Sequence, residues 1–287
     1  VIDKKIDIFI FYFFSMISME LLDWIDTTYI SWSFLSANPN AIDFLVKNPH
    51  EIDWDELSKN ESAIELLKEN PEKIDWYYLS ANPNAIEILK DNLDKVYWSE
   101  LSINPNAIKL LKENPHKINW VMISKNHNAI DIIKDNLNRI DWTYLSLNHN
   151  AIELLKQNPN KINWDMLSAN ESAIELLKQN PEKINWNMIS TNRNAIDIIK
   201  DNLDKINWWG LSQNPSAIGL LKENKDKIYN HTIFANPSIF TYNYEQMRNS
   251  NLDLKEEIIA KALHPKRIFR LIEEYGEDEI YHIYLSD

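Results

Sequence analysis

The chain has 287 residues, 44% apolar and 25% charged, with a formal net charge of −13. That composition suits a soluble protein with a sizeable core rather than a membrane or disordered class, and the acidic balance repels polyphosphates at long range. With no cysteine and 3 glycines, there is no disulfide framework, thiolate metal site or glycine-rich phosphate loop, and an intracellular setting is expected.

In chain order, residues 1–18 read as a non-native, disordered or signal-like leader. Their apolar run, Ile8 to Ile17, is too short to span a bilayer, and no small-residue cleavage site follows it. Translation from Met16 or Met19 would leave the residues before that methionine outside the protein. Residues 19–31, "MELLDWIDTTYIS", sit in register with the second half of the repeat described next and are expected to form an N-terminal capping half-repeat.

Residues 32–229 hold nine units with one period. Trp32, Trp54, Trp76, Trp98, Trp120, Trp142, Trp164, Trp186 and Trp208 follow each other at 22 residues without an insertion. Numbered from Trp as position one, the unit has Leu or Ile at position four, Ser at five, Asn at seven and Asn at seventeen in every copy. "NESAIELLKQN" and its sister "NPNAIEILKDN" open on an Asn cap, continue with helix formers and stop at Asn, which predicts a helix over positions eight to sixteen. In a chain so poor in glycine, Asn at position seventeen is expected in the left-handed conformation that ends helices. Asn or Asp before most tryptophans predicts a second cap and a shorter helix over "WDMLSA". Such helices are too short to persist alone, so stacking must hold them. A leucine-rich-repeat ribbon shares the period, but the unit lacks the alternation a strand needs. The expected fold is all-α: an α-solenoid of nine regular two-helix repeats plus a degenerate tenth and terminal caps.

Residues 230–251 carry that degenerate repeat and a connection, with Asn236-Pro237 in register but Asn230 in place of the tryptophan. Residues 252–287 have amphipathic spacing broken at His264-Pro265 and are expected to be a C-terminal helical cap.

Several ladders invite a functional reading. Trp54, Trp76, Trp98, Trp120, Trp142, Trp164, Trp186 and Trp208 are assigned to the core, since each stands beside a cap and three residues before an unvarying Leu or Ile. Lysines at position fifteen and basic residues at position twenty would form two rows and offer a nucleic-acid track, but acidic residues at position twelve give the first row partners on a solvated face. The histidines have no metal-ligand spacing, and no catalytic constellation is present. Neither an enzyme, a cofactor nor a metal is expected. Positions two, three and six vary from unit to unit on a fixed frame, as an extended binding surface would. The candidate partner-binding residues are Phe34, Glu56, Tyr77, Tyr78, Glu100, Met122, Tyr144, Asp165, Met166 and Met188.

The motif "INWxxLSxNPNAIxLLKxNPxKI" resembles the tandem Asn/Ile/Lys-rich repeat proteins of amoeba-infecting giant viruses, over about residues 19 to 240. The resemblance implies a viral protein of the host cytoplasm or the virion and carries over no functional residue. The expected function is a non-enzymatic repeat scaffold binding a host or viral protein. Nucleic-acid binding through the lysine rows and a structural virion role are the alternatives.

Overall fold

The computed structural model describes residues 19–243. The leader 1–18 and the C-terminal cap 252–287 lie outside the described residues. Leu21–Thr241 is one compact unit, an all-α repeat solenoid with two short α-helices in each of the nine regular units. In the second of these units they are α3, Trp54–Lys59, and α4, Ile64–Glu69.

The helix starts follow the caps. The side chains of Asp53, Asp75, Asn119, Asp141, Asn163, Asn185 and Asn207 each accept an amide hydrogen bond from the first turn of the following helix. The longer expected helix is divided: in six of the nine units positions eight to ten form a 3-10 turn, as in Pro83–Ala85, before the α-helix proper, as in Ile86–Lys90. The helix ends depart from expectation. Asn70 and Asn158 have φ of −132° and −130° and are not left-handed. Asn224, followed by lysine rather than proline, has nearly the same φ of −128°, so the following proline is not required, and in each case the side chain supplies the cap. Asn70 Nδ2 donates to Leu66 O and Asn158 Nδ2 to Leu154 O, both at 2.9 Å, which satisfies a carbonyl the helix would leave open.

The core is a ladder of small layers. Leu or Ile at position four, Ala at ten and Leu or Ile at fourteen are fully buried in every regular unit, as Leu167, Ala173 and Leu177 are. The tryptophans are half-buried rather than enclosed. In seven of the nine units a cation from position twenty covers the ring: Lys73 lies 4.4 Å from the Trp54 centroid, Arg139 4.0 Å from Trp120 and Lys183 4.3 Å from Trp164. Trp164→Ala is expected to cost about 3 kcal/mol in urea denaturation, whereas Lys183→Gln should cost less than about 1 kcal/mol. Equal losses would show the cation, not ring burial, to be dominant.

Between units, the buried Asn at position seven carries the stack. Its Nδ2 donates to two carbonyls of the preceding unit, those of positions five and seven, while its Oδ1 accepts the amide of position nine. For Asn126 these bonds run to Ser102 O (3.0 Å) and Asn104 O (2.8 Å) and from Asn128 N (3.0 Å). Serine at position five, also buried, adds a strut: Ser124 Oγ donates to Trp120 O and accepts from Asp141 N. No buried side-chain nitrogen or oxygen among the described residues lacks a partner, as a closely stacked polar spine requires.

The stack closes on itself. Asn38 in the first unit donates to Phe234 O at 2.8 Å and Asn236 O at 3.1 Å, the positions five and seven of the tenth unit. Asn40 Nδ2 reaches Pro237 O at 2.9 Å. Asn236 in turn donates to Ser212 O and Asn214 O, so ten asparagines form an unbroken circle. The half-repeat 19–31 and the tenth unit, expected to cover separate ends, complete one another. Residues 232–239 supply the first half of the shared unit through 3-10 turns Thr232–Ala235 and Pro237–Ile239. Strand β1, Met19–Leu21, pairs with β2, Phe240–Tyr242, where the second helix would be. The turn Thr27–Tyr29 then occupies the register of the 3-10 turn before the next tryptophan. Phe234, fully buried, fills the serine position at this seam.

Candidate interaction surface

The first helix of each unit carries the variable positions, and the structure separates them into two kinds. Position three of one unit meets position six of the unit before it. Lys59 Nζ lies 3.9 Å from the Tyr78 ring centroid and Lys125 Nζ 4.2 Å from that of Tyr144. A Cβ built on Gly210 would come within 3.1 Å of Thr191 Cγ2, so there the smallest residue accommodates its neighbour. Accordingly Phe34, Glu56, Tyr78, Glu100, Met122, Tyr144, Met166 and Met188 are all half-buried. Much of their variation is therefore packing between neighbours.

Position two is different. Tyr77 and Asp165 are exposed, as are Ser33, Asp55, Val121, Asn187 and Trp209. Of the ten candidates, Tyr77 and Asp165 are thus the exposed ones, and Trp209, which position-by-position reading passed over, joins them with 47% of its surface exposed. Asp165 is tied to position twenty-two of its unit by Asn185 Nδ2 at 2.8 Å. In unit three the same pair of positions holds Tyr77 and Tyr97, with ring centroids 5.5 Å apart and edge-on. Tyr77 also meets Tyr78 at 5.2 Å. A hydrogen bond to Glu100, reinforced by that carboxylate's charge, raises the Tyr77 phenol above its ordinary pKa.

Ordered rows of charge are largely engaged. At position fifteen, Lys68, Lys90, Lys156 and Lys178 pair with Glu65, Glu87, Glu153 and Glu175 at 2.7 to 3.1 Å. At position eight, His127 and His149 of adjacent units stack with centroids 4.3 Å apart, and burial followed by the charge of His149 lowers the His127 pKa. Among the described residues no group of three or more His, Asp or Glu could hold a metal ion, and no helix is long and apolar enough to cross a membrane.

Two open grooves line this side of the first helices. One of about 600 Å³ lies in unit three, among Asp75, Trp76, Tyr77, Asp94, Lys95 and Tyr97. Another, of about 890 Å³, lies by the seam and includes Tyr29, Trp208, Asp226, Lys227, Tyr229 and His231. Comparison with protein-family models, curated proteins and solved structures returns no match to this chain.

Proposed function

We propose that the protein is a non-enzymatic binding ring that engages a protein partner through the exposed position-two side chains and the residues beside them. The observation that supports this is the division within the variable set. Positions three and six meet across units as packing neighbours, whereas position two places Tyr77, Val121 and Trp209 in solvent at 42%, 40% and 47% exposure. Large apolar side chains held in water on a rigid frame are the usual anchors of a protein interface. The lysine rows favour this reading over a nucleic-acid track: seven of the eight cations of position twenty lie on tryptophan faces and four of the eight of position fifteen are paired with glutamate. If the chain has the origin its motif resembles, the partner is a host or viral protein.

Ser33, Ser99 and Thr143 stand at position two in other units, so Tyr77→Ser, Val121→Ser and Trp209→Ser combined should fold normally. Proximity labelling in expressing cells is expected to recover partners with the native protein and lose them with this variant. An identical labelling pattern from both proteins would overturn the proposal.

A further inference from the structure

Position twenty-two is the cap of the next helix, and seven of its nine occupants are Asp or Asn. All seven accept the capping hydrogen bond. Tyr97 and Tyr229 are the other two, and Tyr97 gives the following helix, Trp98–Ile103, no side-chain cap. A strong local rule is broken there in favour of a side chain that is 51% exposed. Exceptions of this kind in an otherwise self-consistent chain are where function is sought. The same two units, and no others of the nine, have an aromatic residue at position two, Tyr77 and Trp209.

The groove of unit three adds a charge preference. It gathers Trp76, Tyr77 and Tyr97 with Asp75 and Asp94. Its one cation, Lys95, already lies on the Trp76 ring, 4.5 Å from the centroid. In the seam groove, by contrast, Asp226 is matched by Lys227. Aromatic faces and carboxylates in one open groove attract a cation by two means, the ring quadrupole and net charge. The protein's charge of −13 draws a basic partner toward it at long range.

We propose that the unit-three groove takes a cationic side chain, an arginine or lysine borne on an extended segment of the protein partner, with Tyr77 and Tyr97 stacking on it and Asp75 and Asp94 balancing its charge. This rests on the reading of the position-two surface as a protein interface and names the chemistry of what binds there.

The test is fluorescence anisotropy at low and physiological salt with fluorescein-labelled Gly/Ser peptides carrying two arginines, two citrullines or two glutamates. The protein is used as the full chain. The arginine peptide should bind, the citrulline peptide at least tenfold more weakly and the glutamate peptide not at all. Tyr97→Asn restores the cap, so it should raise the thermal midpoint while weakening arginine-peptide binding at least tenfold. Tyr229→Asn, in the seam groove and outside the cap of the following turn, should leave binding unchanged. Equal binding by Tyr97→Asn and the native protein would assign the affinity to general acidity and overturn the proposal, as would no binding of the arginine peptide at low salt. In either case a partner lost only with the position-two variant would leave the interface reading standing.

Discussion

Asn126→Asp is expected to destabilise the protein by about 3–5 kcal/mol at neutral pH, although the two side chains have the same shape. The native amide donates to Ser102 O and Asn104 O from a fully buried position. A carboxylate there would set negative oxygen against two carbonyl oxygens, away from water. Asn126→Ala, which removes the bonds to Ser102 O and from Asn128 N, leaves Asn104 O with the Ala107 amide alone and adds no charge, should cost about 2–3 kcal/mol. The exposed neighbour Asn128, whose Nδ2 reaches Pro105 O at 3.1 Å, is the control, and Asn128→Asp should cost no more than about 1 kcal/mol. The pH dependence has a definite sign. Burial raises the introduced carboxyl's pKa in the folded state above its unfolded value of about 3.9. The deficit against the native protein should therefore be smallest below that value and grow as pH rises through the folded pKa. Urea denaturation of both proteins at acid and neutral pH measures it. A deficit independent of pH, or no larger than that of Asn128→Asp, would show that the ladder does not carry the stack.

Closure predicts a distance. The protein has no cysteine, so Tyr29→Cys with His231→Cys leaves two unique labelling sites, on residues whose rings lie 6.3 Å apart in the structure. Spin labels there should report a short, narrow distribution set by the label tethers. An open stack of nine units at ordinary helix-packing spacing would hold the same sites on the order of 80 Å apart. Phe234→Ala adds the energetic half of the prediction. This side chain is the largest fully buried one at the seam, and removing it should cost about 3–5 kcal/mol and introduce a long-distance population. Long distances in the native protein would mean an open solenoid. A single short population in the variant would mean that the asparagine bonds alone hold the seam.

The surface was legible in outline. Variation against a fixed frame directs attention to the first helices, but it pools residues with different neighbours. Tyr78 and Tyr144 vary because Lys59 and Lys125 precede them in space, a pairing across units that no single unit reveals. Tyr77 instead meets neighbours within its own unit, Tyr78 and Tyr97. Tyr97 left a signal in the sequence, since it interrupts a run of capping residues, yet its meaning depended on finding Tyr77, Asp75 and Asp94 around the same groove.

The asparagines show the same limit in the core. Asn at position seven looks like a helix cap because its oxygen is one, accepting the amide two residues on. Its nitrogen does something the local pattern does not encode, since the carbonyls it serves lie 22 and 24 residues back. Asn at position seventeen stops a helix as its sequence implied, through a side-chain bond rather than a left-handed backbone.

By itself the sequence determined the 22-residue unit, its two helices, most of their caps and the apolar layer of Leu, Ala and Leu or Ile, because propensity, capping and periodicity are local physics. Only the tertiary structure decided that the array has no free ends. Closure depends on the angle each unit adds to the last, which accumulates from many side-chain contacts. Its proof is a hydrogen bond from Asn38 to a carbonyl 196 residues away.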